Sequence, residues 1–258
     1  PRGTWLDEPA VRDDGARSAA SGGSASRVPV GSRTMLGRLV ELLGSGDELV
    51  RAWEDLDLAG LPVRWFPGWS AVRNRPQHNP LHLYTVDRHM VRTAAVAGRL
   101  LGSGEGADGG ARALDPLGLP RLDAAVGSRD RTVLLLAALL HDLGKVPGVV
   151  GEAHAAAGAE RVPAVLDVLG VSAAEAAEIT LLVREHLLLG AAASKAPGDA
   201  AVVEAARGAL GEGGRARRRL ALLRLLTEAD SRAAGPRAWT TVRAGVIDQV
   251  TAAIAREL

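Results

Sequence analysis

The sequence predicts an all-α protein, a helical bundle packed around an aliphatic core. Hydrophobic residues make up 47% of the 258 positions but aromatic ones only 3%, so the core must be built from Ala, Leu and Val, which favour helix. Apolar residues recur at three- and four-residue spacing along most of the chain, the period of a helix with one buried face. No segment alternates as a strand would, and there is no internal repeat. The length suits one large domain, or one domain with a tail.

Residues 1–30 are rich in Gly, Ser and Ala without apolar periodicity and read as a flexible linker. Residues 31–80 form a helical lead-in. It opens with the stripe Met35, Leu36, Leu39, Val40 and Leu43, closed by Gly44 and Gly46, and continues with a helix over Asp47 to Leu58. From Leu61 to Pro80 an aromatic, proline-punctuated stretch predicts turns and short helical pieces, with Trp65, Phe66 and Trp69 packing it onto the bundle. Residues 81–258 then form the main domain. Helices are expected over about Leu83–Leu101, Arg131–Asp142 and Ala153–Leu169. Ser172 and Glu175 make a capping box for the next, running to about Leu188. Further helices cover about 200–210 and 215–231, and a last one begins near Trp239. The glycine-rich loop 102–110 lacks a phosphate-loop pattern. Arg215, Arg217, Arg218 and Arg219 form a basic run that reads as a solvated face.

A net charge of +1 supplies no field that would recruit nucleic acid or an acidic membrane. There is no cysteine, so neither a disulfide nor a thiolate metal ligand is available, as suits a reducing cytosol. The longest apolar run, Val133 to Leu140, is too short to span a bilayer, and no signal peptide opens the chain; a cytoplasmic location is expected. The chain begins at Pro1 and still reads as helix at Leu258, which suggests an excerpt of a longer protein.

Several ionisable side chains fall on inward faces. His89 lies in register with Val86, Thr93, Val96 and Leu100; His186 with Ile179, Leu182, Val183 and Leu189; Asp230 with Leu223 and Leu226. His141 and Asp142 end the most apolar helix. Taken singly, such a histidine is more often a core residue with its hydrogen bonds met, and such an aspartate a cap or ion-pair partner. Together they need a shared explanation, because a buried carboxylate without a partner costs several kcal/mol, on the order of the desolvation of a polar group. A divalent cation accepts neutral imidazole nitrogens and carboxylate oxygens at once. Lys145, one of only two lysines, follows the doublet. Its plain reading is a cation that interacts with the last carbonyls of the helix.

The order His89, His141-Asp142, Asp230, with the string Leu139 to Lys145, resembles the HD superfamily of metal-dependent phosphohydrolases. Three segments narrow it: Arg75 to His89, Leu182 to Leu188, and Thr227 to Ser231 with Gly235, Pro236 and Trp239 behind. They are similar to the uridylyl-removing HD domain of bifunctional protein-PII uridylyltransferase/uridylyl-removing enzymes, over roughly residues 33–245. The resemblance implies metal-dependent hydrolysis of the phosphodiester that joins UMP or AMP to a tyrosine of the PII nitrogen-regulatory protein. It implies His89, His141, Asp142 and Asp230 as ligands of a divalent metal, Mg or Mn by preference and otherwise Fe or Zn. Asp142 and Lys145 become the catalytic residues, and His154, Glu185 and His186 a second metal site or phosphate contact. Nucleotidylated PII would be the partner, with nucleotidyltransferase and ACT domains covalently attached outside this chain.

This sequence departs from the family pattern around His154, where Glu152, Ala153 and Ala155 replace the usual neighbours, and at Glu185, where the family carries a second His. The stretch Leu189 to Asp199 is also poorer in polar residues than its counterparts. Two alternatives therefore stand beside the main reading: an HD hydrolase of a free small nucleotide, and a weakened HD domain kept for regulation or interaction.

Overall fold

The computed structural model describes residues 30–77, 79–102, 117–122, 125, 127–196 and 198–258. The expected linker thus lies outside the described residues apart from position 30, as do His78 and nearly all of the loop 102–110. Among the described residues there are helices and no strand. In order they are α1 (Val30–Leu43), α2 (Asp47–Leu58), α3 (Leu61–Trp65), a 3-10 turn at Trp69–Ala71, α4 (Val86–Gly102), α5 (Arg129–Leu140) and α6 (Ala153–Val168). Then come α7 (Ala173–Glu185), α8 (Leu188–Ala192), α9 (Ala200–Leu210), α10 (Gly213–Ala234) and α11 (Thr241–Glu257). No helix among them is long and apolar enough to cross a membrane.

The bundle is arranged about α5, whose residues from Thr132 to Leu140 are all buried. A helix apolar all round is stable only when neighbours cover every side, and α1, α4, α7 and α10 supply that cover. Its start is fixed by Ser128, whose hydroxyl accepts the Arg131 N–H at 3.3 Å. Its end comes at Leu140 rather than at the expected Asp142, with His141 at the cap. The cause is Gly144. A Cβ there would lie 2.0 Å from the His154 carbonyl oxygen and 2.3 Å from the Gly158 nitrogen, so the chain turns away where it meets α6. Leu143 N–H to Leu140 O (3.1 Å) and Lys145 N–H to Asp142 O (2.9 Å) are the bonds of that turn.

Two other ends differ from expectation. The helix carrying His89 begins at Val86 and not at Leu83, and the Leu83 N–H ahead of it donates to the Ala234 carbonyl (3.1 Å) at the end of α10. The helix carrying His186 stops at Glu185, and a turn leads into the short α8, which the periodicity concealed.

The lead-in joins the same hydrophobic core as the remainder. Trp53, Phe66 and Trp69 are fully buried and stack on one another with ring centroids 5.4 to 5.8 Å apart; Trp65 is only partly buried against them. Asp57, 3% exposed at the end of α2, takes two bonds from Arg73 (2.8 and 3.1 Å) and one from Arg88 on α4 (3.0 Å). The Arg73 hydrogen bonds, reinforced by the Arg88 charge, outweigh burial and hold this carboxyl below the usual carboxylate range. The basic run on α10 is not simply a solvated face. Arg219 grips Glu178 of α7 through two bonds (2.7 and 2.9 Å), Arg218 pairs with Asp130 of α5, and Arg217 donates to the Gly118 carbonyl at 3.0 Å.

Candidate metal centre

Five helices deliver one cluster. His89 comes from the first turns of α4, His141 and Asp142 from the turn closing α5, His154 from the start of α6, His186 from the cap of α7, and Asp230 from the last turns of α10. All the described histidines meet there in a chain of rings. His82 stands 4.8 Å from His89, His89 stands 5.2 Å from His141, His141 lies 5.2 Å from His186, and His186 lies 5.1 Å from His154.

Asp142 is the centre of the arrangement, and its side chain is 1% exposed. Its Oδ2 faces His141 Nε2 at 3.3 Å, His89 Nε2 at 3.7 Å and Lys145 Nζ at 2.7 Å. The other oxygen, Oδ1, faces His154 Nε2 at 3.2 Å and His186 Nε2 at 3.7 Å. Asp230 Oδ1 lies 2.8 Å from His89 Nε2 and 3.5 Å from His141 Nε2, its side chain a quarter exposed at the open edge of the cluster.

Second contacts fix the ring orientations. His141 Nδ1 lies 2.9 Å from the Ala138 carbonyl, His154 Nδ1 2.6 Å from that of Gly151, and His186 Nδ1 2.7 Å from that of Val183. A carbonyl only accepts, so each Nδ1 carries the ring proton and donates. In the neutral rings Nε2 is then a bare lone pair aimed into the cluster, the tautomer that metal-binding histidines adopt. His154 and His186 bring two such nitrogens within 3.1 Å of each other. Two lone pairs so close repel unless a positive charge sits beside them.

Orphaned atoms give the same answer. His141 Nε2, His89 Nδ1 and both Asp142 oxygens are buried without a well-directed hydrogen bond, although charges lie near. Burial works to raise the Asp142 carboxyl, but the charges of His141 and Lys145 overcome it and hold the group well below the usual range. Burial likewise opposes ionisation of Asp230, and the neighbouring His141 and His89 rings outweigh it, holding the carboxyl well below the usual range. Burial alone would lower His141, yet the two carboxylates push it up to about 10. His186 and His82 go the other way, down to about 4, chiefly through burial. The centre therefore draws positive charge to its carboxylates while His186 and His82 are held towards the neutral form. Three sets of ligand atoms are close enough to share an ion: His89, His141 and Asp142; Asp142, His154 and His186; His82, His89 and Asp230.

Beside the cluster opens a cavity of about 730 Å³ lined by Arg75, Gln77, His82, Lys145, His154 and Arg243, among others. Lys145 does not reach for helix carbonyls. Its Nζ is held between Asp142 Oδ2 and Gln77 Oε1 (2.8 Å) and forms part of the cavity wall. Glu185, by contrast, is half-buried next to His186 and belongs to none of the three ligand sets.

Residues 86–235, more than half of the chain, match the HD domain family. This chain is an HD domain. As such it is a metal-dependent phosphohydrolase, and its His and Asp groups are of the kind that holds a divalent ion. The chain is 39% identical over 211 residues to a bifunctional uridylyltransferase/uridylyl-removing enzyme of Streptomyces coelicolor, an alignment that covers 81% of this chain and 22% of that protein. An enzyme of the same name from Mycobacterium tuberculosis is 34% identical over 213 residues, 82% of this chain and 23% of its own. Another, from Gluconobacter oxydans, is 31% identical over 205 residues, 79% and 20% respectively. The chain thus spans about a fifth of the length of the curated relatives it matches.

Sequence reasoning singled out the helix-borne cluster but missed His82, Gln77 and Arg243. His82 lies in a loop, where helical periodicity gives no face; its spacing of seven from His89 was the available signal.

Proposed function

We propose that this chain hydrolyses the phosphodiester joining UMP or AMP to a tyrosine of the PII nitrogen-regulatory protein. The observation that carries the reading is Asp142, whose two oxygens face two histidine groups, buried just behind His82, Lys145 and His154 of an open cavity's wall. His89, His141, Asp142 and Asp230 would hold one divalent ion, and Asp142, His154 and His186 a second. Mixed imidazole and carboxylate donors suit Mn or Mg, with Fe or Zn as further fits. Such an ion supplies an activated water and neutralises charge on phosphate oxygens.

The chain's own residues do the rest. Lys145, steered by Asp142 and Gln77, presents its ammonium to the cavity and stabilises charge on the phosphate. Arg75 and Arg243 line the same cavity without an ion-pair partner among the described residues, so their charge is free for an anionic substrate, despite one carboxylate on the wall at Glu152. The volume falls in the range of about 300–1,000 Å³ usual for small-molecule sites, enough for a nucleotide. Residues 81–258 would form the hydrolase domain and 31–80 a lead-in that braces α4. The names of the relatives support the uridylyl-removing activity and an attached uridylyltransferase; PII as partner and attached ACT domains follow from the family resemblance, and the greater length of the relatives leaves room for such domains.

The test is incubation of the purified chain with nucleotidylated PII and Mn²⁺ or Mg²⁺, with His141→Ala as control. Release of UMP or AMP by the parent and not by the variant is expected. Turnover of free nucleotides with none from PII would replace this reading with the small-nucleotide hydrolase. Absence of both would leave a regulatory module.

A further inference from the structure

We propose that His82 is an additional protein ligand of the ion held by His89 and Asp230, an inference that rests on the metal-centre reading above. Nothing in the motif order His, His-Asp, Asp requires it. The loop that carries His82 is built to place it. The Asn79 side chain accepts the Leu81 N–H and the Asn79 carbonyl accepts the His82 N–H, both at 3.0 Å, closing a tight turn. The next N–H, of Leu83, donates to Ala234 O at 3.1 Å, one turn beyond Asp230 on the same helix. Gly235 permits that approach. A Cβ there would lie 3.2 Å from the Leu81 carbonyl and from the Leu83 side chain. The loop is therefore clamped to the end of α10, on the Asp230 side of the cluster.

The ring stands edge-on to His89, at 76°. One of its nitrogens, one of His89 and one carboxylate oxygen of Asp230 all lie within 4.8 Å of one another. Unlike His141, His154 and His186, His82 has no carbonyl partner for Nδ1, which is buried with no hydrogen bond. A histidine placed for packing alone would leave that nitrogen unsatisfied. Two imidazoles and a carboxylate are a donor set for a divalent ion. His82 also lines the cavity, so as a ligand it would close the coordination sphere on the substrate side.

The experiment is calorimetric titration of the full 258-residue chain with Mn²⁺, together with the visible spectrum of the Co²⁺-loaded protein. Parent, His82→Ala, His82→Asn and His89→Ala are compared, with circular dichroism to verify folding. His82→Ala and His82→Asn are both expected to weaken Mn²⁺ binding by about 10–100-fold or more, a loss at least that of an outer-shell partner. The intensity and position of the Co²⁺ bands should change with them, because the coordination number changes. Weaker Mn²⁺ binding with an unaltered Co²⁺ spectrum would make His82 an outer-shell residue and overturn the assignment. Unchanged affinity and spectrum, with binding lost in His89→Ala, would overturn it while leaving the metal centre standing. If His89→Ala also binds Mn²⁺ like the parent, the metal-centre reading itself fails. Should His82→Ala not fold, His82→Asn, which keeps a polar side chain in the loop, decides the matter.

Discussion

A carboxylate with one oxygen turned to each of two histidine groups has no substitute of equal shape. Asn matches its volume, but the amide nitrogen donates and cannot face a cation. On the proposed two-ion reading, Asp142→Asn should therefore lose both ions together in Mn²⁺-loaded protein, whereas His154→Ala should lose one and keep the other; elemental analysis of dialysed protein reads the stoichiometry. Retention of one tightly bound ion by Asp142→Asn would refute the sharing. At this scale the sequence was legible where residues sit on helices. His89, His186 and Asp230 follow apolar stripes, and the His141-Asp142 doublet stands out because it gains nothing for packing. It was opaque where tertiary contact places the residue. His82 and Gln77 lie outside any periodic segment, and their approach to His89 and Lys145 depends on a loop held by α10. Glu185, expected as a second-metal or phosphate contact beside His186, lies outside the three ligand sets.

Between elements, the closest approach that shapes the centre is the turn after α5 against α6. Gly144→Ala would force a methyl into backbone atoms, which have no rotamer to yield. A destabilisation of about 3 kcal/mol or more is expected, the upper end for overpacking. Because the clash is with His154's own carbonyl, the variant should lose the ion near His154 before the one near His89. Urea melts and metal stoichiometry on the same sample check both statements. The same contact explains why the end of α5 could not be read from hydropathy, which sees an apolar run and not the helix waiting across from it. A second junction, Asp57 with Arg73 and Arg88, links α2 to α4 and has a pH signature. Its folded pKa lies below the ordinary carboxylate value, so its stabilisation is fully present above that ordinary value and disappears as pH falls through the folded pKa. The stability gap between the parent and Asp57→Asn should be widest near neutrality and shrink below about pH 4, as read from urea midpoints; a gap independent of pH would exclude the charge as its source.

Across the whole molecule, lead-in and bundle share one core, so they should unfold as one. Trp53→Ala removes the hub of the aromatic trio and is expected to cost about 3–5 kcal/mol. Far-ultraviolet dichroism and the fluorescence of the remaining tryptophans should still follow a single coincident transition; two separate transitions would divide the fold at the lead-in. That α1–α3 belong to this core was only half visible in advance, since an amphipathic stripe announces that a helix is covered without saying by what. The candidate ligands come from α4, α6, α7, α10 and the turn after α5, segments separated by up to 141 positions between His89 and Asp230. An ion gripped by all of them would act as a reversible cross-link among distant parts of the chain, and its binding energy would count as folding energy. Resistance to heat and proteases would then track the concentration of free metal, so a cell's ion supply would govern how long the enzyme survives as well as how fast it works.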